Sequence, residues 1–442
     1  MNTVENLTES RVNIDALFAE KTENVKGNLK EIVRDVIKKR ARILSLAQKY
    51  ETPFYLLDEE ALEKNISAFN QSFNQELPKF KAFYAIKSNP HPSILKRVIR
   101  SGMGLDVSSE RELNIGLKAG ARQILLSGPG KTKSELALAV KNRSIVTINL
   151  DSFGELRKLQ EIASKQRVTV KAGVRVFTDR SWSKFGISLK KLTDFLKEAQ
   201  RSKFANVCGI QMHMSWNEDA SPYIEAIETL GRYLKNEVSS SILREIEFLD
   251  FGGGFFPFRA EGIYPWATPL GKICKIANDH YGSPTTFSDN YYLTVSKPIE
   301  TFAKAIGQSI KKHIEPLLSC SYYAEPGRVI SNSSMMIVLR VVDVKNPGCI
   351  IVDGGINSVG WERFENNYFP LVNLTQPSDK ERECLVYGSL CTPDDTWGKF
   401  SFAKGFREDD VIVVPNQGAY TYSLAQNFIL PIPKVYLLTN RK

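Results

Sequence analysis

Apolar positions follow three successive rhythms along the chain. Between residues 30 and 45, Ile32, Val33, Val36, Ile37, Ile43 and Leu44 recur at helical spacing, with Lys38, Lys39, Arg40 and Arg42 between them. This predicts a helix packed on the main body, its basic face in solvent. From residue 80 short apolar runs, each closed by a polar residue or glycine, alternate with helical stretches. The runs are 81–86, 103–107, 123–127, 145–150, 169–176, 207–213, 246–250 and 321–325. Strands alternating with helices at this spacing predict βαβ units and a parallel sheet, and eight such units predict a closed barrel. The long stretch between the last two runs is expected to carry insertions. After residue 328 strand-like runs succeed one another without long helices, at 334–344, 349–352, 383–386, 410–414 and 433–438, punctuated by glycine, proline and asparagine. They predict a separate β domain, to which the run 52–57 is expected to add a strand. The chain therefore divides into a helical extension (1–49), a joining strand (50–58), a (β/α)8 TIM barrel of α/β class (59–328) and a C-terminal β domain (329–442).

Composition narrows the function classes. Apolar residues at 42% and charged residues at 24% describe an ordinary globular core. The six cysteines form no CxxC pair, which reads as reduced thiols, and the four histidines lack zinc-site spacing, so no metal is expected. Net charge is +10, but the 59 basic residues are interspersed with 49 acidic ones and no nucleic-acid motif accompanies them. An anionic substrate or cofactor fits that balance better than nucleic acid. No basic stretch leading into an apolar run opens the chain, and its most apolar run, 335–342, is broken by Arg340. Neither a signal peptide nor a membrane span is expected, and the cytoplasm is the expected location.

Barrel enzymes place their chemistry at the C-terminal ends of the strands. Here those ends carry Lys87, Asp106, Ser127, Asp151, Arg175, His213, Asp250 with Gly252, Gly253 and Gly254, and Glu325 with Arg328. These are parts that can hold a phosphorylated aldehyde. Lys87 is either a solvated surface charge or, at the mouth of a buried strand, an amine nucleophile. The three glycines are either a tight loop or a backbone cradle for an anion. Glu325 and Arg328 are either a structural ion pair or the partners of a protonated ring nitrogen and a phosphate. His213 is either a satisfied core histidine or a stacking and proton-transfer group. In the β domain, Cys391 lies in the turn-rich run Gly388-Ser389-Leu390-Cys391-Thr392-Pro393-Asp394-Asp395, and Tyr420 in Gly418-Ala419-Tyr420-Thr421-Tyr422-Ser423.

Seven segments, taken in order, resemble a known family. They are YETPFYLLDEEALEKNI (50–66), FYAIKSNP (83–90), GLDVSSEREL (104–113), DFGGGF (250–255), AEPGR (324–328), GSLCTPDD (388–395) and GAYTYS (418–423). Together they resemble the fold-type III pyridoxal-phosphate decarboxylases of diaminopimelate, ornithine and arginine, whose barrel and β domain are alanine racemase-like. The resemblance implies that Lys87 forms the Schiff base with pyridoxal 5'-phosphate. It implies that Asp106 lies near that lysine, that Arg175 lies near the cofactor, and that His213 stacks on the pyridine ring. By the same resemblance Gly252, Gly253, Gly254 and Arg328 bind phosphate, Glu325 pairs with the ring nitrogen, and Tyr420 lies near phosphate and substrate. Cys391 is implied to protonate the carbanion left after CO2 departs, from the second subunit of a homodimer.

Three positions depart from the family pattern. Thr392 stands where a Glu or Asp usually meets the substrate's distal ammonium, with Asp394 and Asp395 as possible replacements. His213-Met214-Ser215-Trp216 replaces a histidine, small residue, glycine, serine sequence, so the phosphate serine has become Trp216 or moved to Ser215. Arg363 and Tyr368 follow Asp353-Gly354-Gly355 at a spacing different from the arginine and tyrosine that bind a distal carboxylate. The substrate is therefore either diaminopimelate or a modified amino acid of siderophore or other specialised biosynthesis. A racemase is disfavoured by Glu325, since racemases of this fold pair the ring nitrogen with arginine. A catalytically silent relative is disfavoured by the joint presence of Lys87, His213, Glu325 and Cys391.

Overall fold

The computed structural model describes residues 25–178, 183–259, 262–264, 292–293, 296–360 and 367–438. All eight apolar runs between residues 80 and 325 form strands of one parallel sheet. We label the strand Phe54–Leu57 β1 and the sheet strands β2 (Phe80–Ala85), β3 (Gly104–Val107), β4 (Ile124–Leu126), β5 (Val146–Leu150), β6 (Val170–Phe177), β7 (Ala205–Gln211), β8 (Phe248–Asp250) and β9 (Ser321–Ala324). Each pairs with the next, and β9 pairs back with β2, so the ring closes as the run count predicts. Inside the ring, Phe83, Leu125, Cys208, Phe248 and Tyr323 meet in one cluster, with Phe248 and Tyr323 stacked at 4.8 Å. Gly173 and Gly209 make room for the Phe248 ring, which a Cβ at either position would overlap. The barrel is thus plugged by side chains, and chemistry is confined to its mouth.

Three barrel helices start at a serine or threonine that follows a strand end. Ser109, Thr132 and Ser152 each accept an amide hydrogen bond from the residue three positions on, and Thr132 completes a capping box with Glu135. These caps fix the turns after β3, β4 and β5 and hence the side chains on them.

The β domain holds β10 (Met335–Asn346), β11 (Cys349–Val352), β12 (Leu371–Asn373), β13 (Pro377–Tyr387), β14 (Thr396–Ala403), β15 (Val411–Val414) and β16 (Lys434–Leu437). Their order is β11-β13-β14-β12-β15-β10-β1-β16, with β10 also paired to β11. Six strands therefore close on themselves, while β1 and β16 extend from β10. β1 runs antiparallel to β10 and parallel to β16. Strands β12 and β14 and the first half of β13 fell outside the predicted runs. β12 spans three residues, Gly398 and Lys399 interrupt β14, and β13 opens on Ser378-Asp379-Lys380-Glu381-Arg382.

Two helices precede β1: α1 (Val25–Lys38) and α2 (Arg40–Lys49). Their stripe packs on the β domain: Leu29, Val33, Val36, Ile43 and Ala47 join a core with Phe54, Leu56, Met336, Val338, Tyr368 and Phe402. Lys39, at the break between them, reaches Asp58 at 2.6 Å, and Arg340 donates to the Ala47 carbonyl at the end of α2. Residues 1–24 of the predicted extension lie outside the described residues. Among the described residues no helix is long and apolar enough to cross a membrane, and no His, Cys, Asp or Glu cluster is arranged to hold a metal ion.

Ile43 has no accessible surface. Ile43→Ala should destabilise the protein by about 2–4 kcal/mol, the cost of the lost side chain and the cavity it leaves. Urea unfolding measures this, and a midpoint unchanged from wild type would contradict the packing of α2 on the β domain.

Candidate active site

Lys87 sits in a single 3-10 turn, Ile86–Ser88, directly after β2. The turn is gripped from three sides. The Ala85 amide donates to the Pro326 carbonyl after β9 (3.0 Å), and the Tyr420 amide donates to the Ser88 carbonyl from the β domain (2.8 Å). Asn89 Nδ2 donates to the Gly418 carbonyl at 2.9 Å. Lys87 is thereby fixed at the seam of barrel and β domain. Its side chain stays 39% accessible, and its Nζ lies 3.6 Å from Asp106 Oδ2 at the end of β3. Burial would lower the lysine's affinity for its proton, but the Asp106 charge, with Tyr420 and Glu325, outweighs that and pushes the ammonium up to about 12. Burial, with the Glu325 charge added, raises the Asp106 carboxyl to about 7, although Lys87 draws it back.

Glu325, at the end of β9, is the most fully held carboxylate at the mouth. Ser127 Oγ (3.2 Å) and Gln211 Nε2 (3.1 Å) donate to its Oε1, and His213 Nδ1 lies 3.2 Å from its Oε2. Burial alone would raise its pKa; the His213 contact and the cations Lys87 and Arg175 prevail and hold it down to about 2. Asp250, buried beside it, moves the opposite way, because burial and the Glu325 charge both favour its proton. One negative charge at this depth is thus assigned to Glu325. His213 is held below the usual imidazole range by burial.

The turn after β8 needs its glycines. Gly252 and Gly254 have φ of +76° and +89°. A Cβ on Gly252 would strike the Met212 carbonyl, one on Gly253 the Glu325 carbonyl, and one on Gly254 the Met214 carbonyl. The turn therefore packs backbone against backbone beside His213, and the Gly253 amide faces His213 Nδ1 at 3.2 Å. Arg328 completes this side. Its guanidinium lies 4.9 Å from the Trp216 ring centre and 5.2 Å from those of Phe256 and Tyr420. Trp216 itself has φ +60° and is 63% exposed, so the family's serine position carries a large ring standing over the arginine. Arg175, leaving β6, packs on Phe185 at 4.5 Å, and its charge acts on Lys87, His213 and Glu325.

Lys87, Asp106, Arg175, His213, Gly252, Gly253, Gly254, Glu325, Arg328 and Tyr420 thus converge on one mouth. The β-domain residues are arranged differently. Cys391 is exposed on the loop between β13 and β14, with Thr392 half-buried and Asp394 exposed beside it. Asp395 corrects the expectation of a substrate-facing acid: it is buried, and its two oxygens accept the Ile356 amide (2.9 Å) and the Leu390 amide (2.7 Å). It shapes the Cys391 loop from within. Tyr368 is a second correction. Its ring is buried in the core under α1 and α2, and its hydroxyl donates to Glu381 at 2.7 Å. Arg363 lies outside the described residues.

Sequence reasoning passed over Gln211 and Asn149. Both are polar residues within apolar runs, and each shares strand parity with a named site residue, Gln211 with His213 and Asn149 with Asp151. That alternation was the available signal.

The constellation fits pyridoxal phosphate. Both Asp106 oxygens, Asp250 Oδ2 and Gln211 Oε1 are buried and have no hydrogen-bond partner among the described residues, so the mouth holds buried polar atoms that a bound polar group can satisfy. An accessible lysine, an ionised carboxylate, a glycine turn and two arginines border it.

Comparison with known proteins agrees. Residues 63–332 match the model for the pyridoxal-dependent decarboxylase pyridoxal binding domain. A diaminopimelate decarboxylase of Methanothermobacter thermautotrophicus is 26% identical over 408 residues, covering 88% of this chain and 86% of that protein. The L-glutamyl-[BtrI acyl-carrier protein] decarboxylase of Niallia circulans is 25% identical over 425 residues, covering 89% and 90%. The crystal structure of diaminopimelate decarboxylase from M. jannaschii in complex with L-lysine superposes with a TM-score of 0.74 at 23% identity, over 90% of this chain and 89% of that one. With its pyridoxal-binding domain matched over more than half its length and its barrel closed in the same fold, the chain belongs to the pyridoxal-dependent decarboxylases.

Proposed function

We propose that the protein decarboxylates an α-amino acid at the mouth of the barrel, in a homodimer whose sites are each completed by Cys391 of the other copy. Bound pyridoxal phosphate supplies an electron sink for the electron pair left at Cα when the carboxylate departs. The observation that carries this reading is Glu325, a buried carboxylate kept ionised by Ser127, Gln211 and His213. Facing a pyridine nitrogen, it would hold a proton there and keep the ring electron-poor. Lys87 Nζ would hold the cofactor at its aldehyde end, with Asp106 Oδ2 3.6 Å away to orient that amine. His213 would hold the ring, and Arg175, Arg328, the glycine turn and Tyr420 would hold the anionic end. Cys391 Sγ returns a proton to Cα; its exposure on this chain suits a thiol that serves a neighbouring copy.

Two features support a substrate whose distal end is something other than a free ammonium. Thr392 offers a neutral hydroxyl where the family pattern has an acid, and Asp395 is committed to the amides of Leu390 in its own loop and Ile356 after β11. Trp216 adds a ring beside Arg328 in place of a serine. A modified or acylated amino acid fits both, as does the likeness to a relative named for an L-glutamyl group on a carrier protein.

The test is CO2 release by purified protein with added pyridoxal phosphate, offered meso-diaminopimelate, lysine, ornithine, arginine and citryl-amino acids. Release from one of them, abolished in Lys87→Ala, is expected, with the distal ammonium substrates poorer than the acylated ones. Release from none would overturn the reading for these classes. Lys87→Ala and Cys391→Ala proteins should each be inactive and recover activity when mixed, about a quarter of wild type if subunits exchange at random. No recovery on mixing would remove the shared site.

Asp106 also predicts a pH dependence in the cofactor-free protein. Its carboxyl, at about 7 against an ordinary 3.8, holds its proton more tightly in the folded than in the unfolded chain. Stability on its account is full below the ordinary value and falls as the pH rises through the folded one. Asp106→Asn should therefore gain melting temperature relative to wild type between about pH 4 and about pH 7, the window set by those two values, and gain no more above it. A difference constant with pH would contradict the assignment.

A further inference from the structure

A second buried charge pair lies beneath the mouth, outside the group assigned to cofactor and substrate. Lys131, in the turn after β4, is 1% exposed, and Glu155, in the first turn of the helix Phe153–Gln166 after β5, is 3% exposed. Lys131 Nζ donates to the carbonyls of Gly128 (2.5 Å) and Asn149 (2.6 Å) and to Glu155 Oε2 (3.1 Å). Glu155 accepts the Lys131 amide on Oε1 and the Asp151 amide on Oε2, both at 2.9 Å. Three protons of one ammonium thus find three acceptors, and the pair ties the turn after β4 to the turn after β5.

What those turns carry is a relay to Glu325. Asn149 Nδ2 donates to Ser127 Oγ at 3.3 Å, and Ser127 Oγ donates to Glu325 Oε1 at 3.2 Å. Both ends of the relay are anchored through backbone carbonyls to the one ammonium: Asn149 by its own, Ser127 by that of the adjoining Gly128. Gly173, in β6, leaves the space that the Asn149 side chain occupies. A buried ion pair is a poor source of stability compared with an apolar pair of equal volume, but it fixes directions that an apolar pair cannot.

We propose that Lys131 and Glu155 are positioning residues for the cofactor, setting the Asn149–Ser127 relay that aims the Glu325 carboxylate. The proposal rests on the reading of Glu325 as the partner of the ring nitrogen. It separates two functions of the pair, holding the fold and aiming the carboxylate, that different variants should separate in turn.

Lys131→Met, the double variant Lys131→Met/Glu155→Met and Ser127→Ala are compared with wild type, all loaded with pyridoxal phosphate. Melting temperature, cofactor dissociation constant, the visible cofactor band against pH, and kcat and KM for CO2 release are measured. Lys131→Met leaves an unpaired buried carboxylate and should melt well below wild type. The double variant should recover most of that loss, yet bind the cofactor about tenfold or more weakly and lose kcat while KM changes little, since small misplacements cost catalysis heavily. Ser127→Ala should reproduce the weakened binding and the altered pH response of the band without the melting loss, which keeps the test decisive if Lys131→Met does not fold. Recovery of both melting and cofactor affinity in the double variant, or wild-type cofactor binding in Ser127→Ala, would overturn the proposal. A wild-type protein without the visible band that Lys87→Ala removes would instead overturn the cofactor reading itself, and this proposal with it.

Discussion

An ionised carboxylate inside a protein survives only if its surroundings replace the water it has lost. Glu325 is where this protein meets that constraint. Two neutral donors and one imidazole reach its oxygens, drawn from β4, β7 and the end of β7, while Lys87 and Arg175 balance its charge from further off. The same charge lifts the carboxyls of Asp106 and Asp250. One group thereby sets the protonation of its neighbours, and the closed ring of strands is what brings donors and cations from four parts of the sequence around it.

The architecture was legible because the barrel strands are compact apolar runs separated by helical stretches, three of them opened by a capping serine or threonine, and that period repeats from residue 80 to residue 250. The mouth was legible for a related reason, since polar residues that close apolar runs all fall at one end of a parallel barrel. Legibility failed where structure is decided by tertiary partners. β13 begins as a polar ribbon that pairs with β14 and shows no apolar alternation in its first half. Asp395 looked available because its neighbours are polar, yet the tight turn of the Cys391 loop draws it inward to bind two amides. Tyr368 was misread through spacing alone: its two-residue strand pairs with Gly262 and Ile263, and that pairing turns its ring into the β-domain core.

Of the departures from the family pattern, the one that the structure places at the mouth is Trp216, and it lies on one side of it. Trp216 and Arg328 form a stacked pair there, joined by Phe256 and Tyr420, whereas Lys87, Asp106, His213 and Glu325 keep the pattern intact on the other.

β1 has a consequence for how the chain is made. Its four residues, Phe-Tyr-Leu-Leu, are all buried, and their partners are β10 on one edge and β16, almost the last segment of the chain, on the other. During synthesis this strand leaves the ribosome before the whole barrel and stays unpaired until the barrel and then the β domain have followed it. A short, uncharged, strongly β-forming segment waiting that long is an aggregation hazard. Holding those four residues apart from other copies removes that hazard, and α1 and α2, which emerge before β1 and pack on the same sheet, carry an apolar stripe suited to sheltering them.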